Sequence, residues 1–284
     1  MARPHTLFIQ AQNISWRRGL YGGGRPDVRS KMLSVDPNDP ADSTCIVRYP
    51  KGWQRRDTHF VGAHEEFLVL EGSIRINGIE YGIHSYGFLP AGHLRKAMSS
   101  KNGAVLLTTF SDKPVHQRGT APRGIYDKRL LIEYTDTLAM TWDASLADPV
   151  FAAGVAIKPL RTDPDTGETS FLYTSPAHRV PKGMLKPKWT HTMIEEIYCI
   201  DGEYVWGDCG VMGPGGYVWW RENEWHGPAG TVAGYNLWVR TVNGPLDNIV
   251  GTKPERMTWN PKYRPKLPPH LKKLAKPYAR PANY

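Results

Sequence analysis

Apolar residues along this chain fall into short runs, alternating or continuous, each bounded by glycine, proline or aspartate. EEFLVLEG at Glu65–Gly72, NGAVLLTT from residue 102, EEIYCIDG at residues 195–202 and AGYNLWVR from residue 233 are the clearest. A side-chain period of two, carried by β-branched and aromatic residues, is the mark of a strand. No stretch keeps the 3.6-residue period of an amphipathic helix over an ordinary helix length. The pattern therefore predicts an all-β protein of short strands. One departure is YDKRLLIEYTDTLAMTW, residues 126–142, where a connector with a short helix is expected.

The same order of runs occurs twice. KMLSVDP at residues 31–37 aligns with KPLRTDP at 158–164, and YPKG at 49–52 with VPKG at 180–183. EEFLVLEG then lies on EEIYCIDG, and NGAVLLTT on AGYNLWVR, with offsets of about 127 to 131 across all four blocks. A match that runs through turns as well as apolar positions means a repeated structural unit. Residues 8–115 and 146–252 are expected to form an N-terminal and a C-terminal unit. Residues 116–145 become a connector and residues 253–284 a tail.

Composition agrees with that division. At 284 residues two domains of ordinary size fit, and 24 prolines with 28 glycines supply many turns. Cys45, Cys199 and Cys209 are an odd number at scattered spacings, which suits reduced thiols better than a disulfide framework. The opening MARPHTLFIQAQNISW lacks the apolar run of a secretion signal. Nowhere is there a run of roughly 18 apolar residues for a membrane span. The chain reads as soluble and cytoplasmic.

The net charge of +9 invites a nucleic-acid reading until it is mapped. Residues 253–284 carry a net +8, leaving the body close to neutral. Trp259, Tyr263, Leu267, Leu271, Leu274 and Tyr278 are interspersed with those lysines, as in an arm that docks on a neighbouring surface. No nucleic-acid recognition motif accompanies the charge.

Within the repeat, WTHTMIEEIYCIDG supplies His191, Glu195 and Gly202, and GGYVWWRENEWHGP ends on His226. These segments resemble the two motifs of the cupin superfamily, roughly G-x5-HxH-x3,4-E-x6-G and G-x5-PxG-x2-H-x3-N. Two departures stand out: Trp189 occupies the place of the first His, and Arg221-Glu222-Asn223 replaces the PxG turn. The resemblance implies two tandem jelly-roll-like β-barrels with a basic C-terminal extension. It also implies a metal held in the second barrel by His191, Glu195 and His226. Alternate side chains of a small barrel point inward, so ligands from neighbouring strands can meet at one point. Two imidazoles and one carboxylate with an open face are typical of non-haem Fe(II) sites. Fe(II) is therefore expected, with Mn(II), Ni(II), Zn(II) and Cu(II) compatible with the same donors.

The plain alternative makes His191 and Glu195 a surface pair one helical turn apart. Pro187 before them and IYCI after them are strand features and weigh against it. Glu196 would face the other way, as a solvated or interfacial charge. In the first repeat, His59 and Glu65 match His191 and Glu195 through a slightly longer loop, but Arg95 falls where His226 stands. A possible second metal site there would need His59, Glu65 and His93. A degenerate first barrel is the default.

Around the presumed metal gather Trp189, Tyr198, Tyr204, Trp206, Tyr217, Trp219, Trp220 and Trp225. An inward set of such rings suits a small, flat, largely apolar substrate, aromatic or carbonyl-containing. Trp189, Trp206, Trp219 and Arg240 are candidate substrate-binding residues, with Arg221 a further candidate for an anionic group. Tyr204 is the candidate catalytic proton carrier. Three functions follow: an Fe(II) dioxygenase, a metal-dependent lyase or isomerase, and a small-molecule or metal sensor. A homodimer or larger assembly is expected, because small antiparallel units leave strand edges to cover.

Overall fold

The computed structural model describes residues 3–277 apart from 39–40, 149, 152–153, 179–180 and 182. The described residues hold no α-helix, only short 3₁₀ turns among the strands. None forms a helix long and apolar enough to cross a membrane.

The described chain divides into two units, Met1–Pro4 with Ile14–Met140, and His5–Asn13 with Thr141–Tyr284. In the first, a six-stranded antiparallel sheet runs in the order Ile132–Asp136, Ser85–Leu89, Glu65–Gly72, Ala104–Phe110, Ser43–Tyr49, Arg29–Val35. In the second the order is Thr6–Gln10, Gly216–Trp220, Ile194–Gly202, Tyr235–Val242, Thr169–Ser175, Ala156–Thr162. The repeated blocks therefore occupy equivalent places. The two sheets differ in origin only at one edge, which Ile132–Asp136 fills in one and Thr6–Gln10 in the other.

Each large sheet packs against smaller ones. In the first unit Cys45, Val47, Phe67, Val69 and Leu106 meet Trp53, Ile74, Ile76 and Met98 from the smaller sheet. In the second, Ile197, Cys199, Val218, Trp220 and Leu237 meet Tyr204, Trp206 and Met212. Burying each large side chain in these layers contributes about 1.5–3 kcal/mol.

Both units keep one structural glycine. Gly72 and Gly202 end the central strands with φ of +67° and +77°. A Cβ there would run into the carbonyl oxygens of Gly103 and Gly234 respectively. Only glycine fits that turn without strain.

The structure corrects several expectations. Among the described residues the sheets form open sandwiches, and no closed barrel is found. The strand Thr6–Gln10 pairs with Gly216–Trp220 of the second unit instead of starting the first. The connector forms the strand Ile132–Asp136 and short turns at Lys128–Leu130 and Ala144–Leu146, because alternating IEYTD reads as an edge strand. The tail joins the second unit. Glu255–Arg256 pairs with Leu185–Lys186, the Tyr263 hydroxyl donates to Phe8 O at 2.9 Å, and Leu7 bridges to Lys266. Tyr278 lies outside the described residues.

Candidate metal centre

Three segments of the second unit converge. The short strand Trp189–Thr190 delivers His191, the central strand Ile194–Gly202 delivers Glu195, and a backbone bridge between Trp189 and His226 holds the third segment alongside. Between His191 and Glu195 the chain bends over Thr192, whose N–H donates to Asp247 Oδ1 at 2.9 Å. That bend, rather than a helical turn, brings the two side chains together.

His191, Glu195 and His226 are all buried, with their donor atoms within 4.8 Å of one another. Each histidine Nε2 is 3.7 Å from Glu195 Oε2. The other ring nitrogens are taken: His191 Nδ1 by Asp247 O, and His226 Nδ1 by Glu224 O at 2.9 Å. A carbonyl accepts, so Nδ1 carries the proton and Nε2 is left with a lone pair facing Glu195. Both Nε2 atoms are buried without a hydrogen-bond partner among the described residues. Buried polar atoms are rarely left so. A cation between two imidazoles and a carboxylate would satisfy all three, so the residues fit a divalent metal.

The electrostatics of the three groups differ. Burial drives the His226 pKa down to about 4, which keeps that ring neutral. Burial also opposes protonation of His191, but the adjacent Glu195 carboxylate and the Asp247 carbonyl outweigh it and raise its pKa. Burial alone would raise the pKa of Glu195; His191 and His226 reverse that and hold the carboxyl below its ordinary range.

A wall of rings surrounds the triad. Trp220 stacks on His226 with centroids 4.5 Å apart, His5 lies on Trp220 at 4.6 Å, and Trp189 and Trp206 reach His226 edge-on. On the Glu195 side a cavity of about 370 Å³ is lined by Trp189, Tyr204, Tyr173, Phe171 and Leu237 among others. Burial raises the Tyr204 phenol well above its ordinary pKa, with Tyr173 and Glu195 adding to the effect.

Of the candidate substrate residues, Trp189 lines this cavity and Trp206 packs behind it against Trp220. Trp219 and Arg240 do not approach it. They stand opposite Glu196 in register, on the face turned away from Glu195. Arg240 NH1 is 3.2 Å from Glu196 Oε1, and the Tyr217 hydroxyl donates to Glu196 Oε2 at 2.6 Å. Glu196 is thus fully buried and paired, not solvated.

In the first unit the expected His59, Glu65 and His93 do not come together. The backbone bridge of His59 to Arg95 repeats that of Trp189 to His226. His59 is therefore the counterpart of Trp189, and Val61 falls where His191 stands. Arg95 NH2 is 2.6 Å from Glu65 Oε2 and Arg25 NH1 is 3.5 Å from Oε1. Guanidinium groups fill the place of a cation. His93 turns to the Tyr126 ring.

A second compact group does form from Asp57, His59 and His116. Its two rings stack at 4.2 Å, however, and Arg55 NH2 donates to Asp57 Oδ2 at 2.7 Å. Burial, with smaller contributions from Arg25, His116 and Arg95, lowers the His59 pKa to about 4. His59 Nε2 and both ring nitrogens of His116 are also buried without a hydrogen-bond partner among the described residues, so this group is a second candidate, one whose carboxylate is already taken by Arg55. Sequence reading missed Asp247, His5 and Tyr173. Trp220, next to the aligned turn, was among the rings the sequence placed around the metal.

Comparison with known proteins bears on the fold. The model of a family described as "Domain of unknown function (DUF4437)" matches residues 8–249. No curated protein matches the sequence. Among solved structures, a "putative dioxygenase" from Nostoc punctiforme PCC 73102 is similar at 18% identity. The match covers 88% of this chain and 87% of that one, with a TM-score of 0.72. Oxalate decarboxylase from Bacillus subtilis is similar at 12% identity over 88% and 80% of the two chains, TM-score 0.53. Work on that enzyme describes its Mn(II) centres. Likeness at such identities establishes a shared cupin fold.

Proposed function

The chain belongs to the DUF4437 family, and we propose that its second unit is the active site of a metal-dependent enzyme. His191 and His226 bind a divalent cation through Nε2, and Glu195 binds it through its carboxylate. The observation that carries this reading is the pair of buried Nε2 atoms without partners, each 3.7 Å from Glu195 Oε2. Two histidines and one carboxylate beside an accessible cavity are the donor set of non-haem Fe(II) oxygenases. Fe(II) is the cation we assign, and Mn(II) would bind the same donors. Bound there, the cation supplies Lewis acidity and open positions for substrate and O2.

The chain's own residues do the rest. The carbonyls of Asp247 and Glu224 fix both imidazoles in the tautomer that offers Nε2. Trp189, Phe171 and Leu237 exclude water from a space suited to a small aromatic or dicarbonyl compound. Tyr204 remains a protonated phenol and donates from its hydroxyl to a substrate oxygen. The reaction we assign is dioxygenation, and the likeness to a "putative dioxygenase" supports it. The likeness to oxalate decarboxylase supports a lyase as the second reading. A sensor with a coordinatively closed metal is disfavoured, because Glu195 lines a cavity.

O2 uptake by anaerobically purified protein, measured over a panel of aromatic acids and dicarbonyls, separates the enzyme readings. Dioxygenation consumes O2 in proportion to product. Turnover without O2 would establish the lyase instead. The three free, buried thiols suit a cytoplasmic protein. We assign a homodimer or larger closed assembly, since Ala156–Thr162 and Arg29–Val35 are sheet edges. Sedimentation as a 32 kDa species at micromolar concentration would refute it.

A further inference from the structure

Beyond the rings of the first cavity the second unit holds another, of about 290 Å³. Phe151, Tyr173, Trp189 and Tyr204 line both spaces and form the partition between them. Lys186 belongs to the wall of the second space and is only 9% exposed. Among the described residues no acidic group pairs with it. Glu255 lies directly opposite in the paired strands, but its carboxylate is 2.9 Å from Lys188 Nζ. Burial accordingly lowers the Lys186 pKa with nothing to offset it.

The ring of Trp259 stands near the ammonium. Trp259 Nε1, on the same wall, is buried without an acceptor among the described residues. A Cβ on Gly230 would lie 3.0 Å from Lys186 Nζ and 3.2 Å from Cη2 and Cζ3 of Trp259, which puts the outer edge of that ring, remote from its Nε1, close to the ammonium. A buried cation and a buried N–H are costly to leave without an acceptor. An ammonium with no acidic partner among the described residues, on the wall of a cavity, offers donors and charge to a carboxylate. A phosphate would call for more donors, and no arginine lines this space.

We propose that Lys186 binds the carboxylate of an elongated substrate whose body lies along the shared rings and presents its reacting group on the Glu195 side. The position of the reacting group rests on the function assigned above; the carboxylate site at Lys186 does not. The substrate class narrows to aromatic or dicarbonyl acids whose carboxylate is several bonds from the reacting carbon.

The test uses the full chain as wild type, Lys186→Met, Lys186→Arg and His191→Ala. The probes are 3-phenylpropionate, 5-phenylvalerate and their amides, with binding read by quenching of tryptophan fluorescence. Wild type should bind at least one acid about tenfold or more tightly than its amide. Lys186→Met should bind acid and amide alike with metal content unchanged, while Lys186→Arg keeps the preference. Equal acid and amide binding in wild type, or a preference that survives Lys186→Met, would overturn the proposal. So would a borohydride-trapped adduct of phenylpyruvate on Lys186, which would make the residue an imine-forming nucleophile. His191→Ala separates the two claims. If it keeps its metal while the Lys186-dependent preference holds, the metal reading fails alone; if it loses metal and no preference exists, the anchor fails alone.

Discussion

Exchange of Glu65 for glutamine asks whether guanidinium groups have taken over the place of a cation in the first unit. Glu65 Oε2 is 2.6 Å from Arg95, and its Oε1 is 2.8 Å from the Tyr21 hydroxyl and 3.5 Å from Arg25, with all these groups buried. Glutamine keeps the shape but leaves two buried guanidinium groups without a carboxylate. Removing one partner of a buried pair costs about 3–5 kcal/mol. Arg95→Met should cost less, about 2 kcal/mol, because Glu65 retains Arg25 and Tyr21. With a urea m-value of about 2 kcal/mol/M, the unfolding midpoint of this unit should fall by about 2 M for Glu65→Gln and about 1 M for Arg95→Met. The effect has a defined pH dependence. Burial pushes the Glu65 carboxyl up, but Arg25, Arg95 and Tyr21 more than reverse this and hold its pKa below the ordinary value. A folded pKa below the unfolded one gives stability that is present above the unfolded value and lost as pH falls through the folded one. The gap between wild type and Glu65→Gln should therefore narrow below about pH 4. An Arg95→Met cost equal to or above that of Glu65→Gln, or a gap independent of acid, would refute the reasoning.

Tyr204→Phe should retain metal while turnover falls by about 10²-fold or more, the usual scale for a lost proton donor; unchanged turnover on the best substrate would remove Tyr204 from the chemistry. Deleting residues 253–284 removes the Glu255–Arg256 pairing, the Tyr263 bond to Phe8 and the buried Met257. The melting temperature should drop by about 5 °C or more; an unaltered melt with loss of salt-dependent nucleic-acid binding would mark the tail as a phosphate-binding arm instead.

The strands were legible wherever local alternation decides them. EEFLVLEG and EEIYCIDG announce central strands, and their terminal glycines answer a steric demand set by a neighbouring carbonyl. The juxtaposition of His191, Glu195 and His226 was legible because two histidines and a glutamate recur at a motif's spacing. What stayed hidden depends on pairing distant in sequence. Nothing in TLFIQ says that its partner lies two hundred residues on. The register that pairs His59 with Arg95, and so makes it the counterpart of Trp189, depends on backbone bonds that a sequence alignment with a flexible loop does not see. Asp247 leaves no signal, since its carbonyl does the work on His191. Trp219 and Arg240 were misplaced for one reason: one step along a strand reverses the face, and both share the face of Glu196.

Metal content per chain after anaerobic purification of wild type, His191→Ala and His59→Ala tests the central claim most directly. The second unit's apolar core should keep His191→Ala folded, so its metal can be compared on equal terms. The account predicts about one divalent ion per wild-type chain, a loss of most of it in His191→Ala, and no change in His59→Ala. Metal retained in His191→Ala and lost in His59→Ala would place the ion at Asp57, His59 and His116 of the first unit and contradict the account.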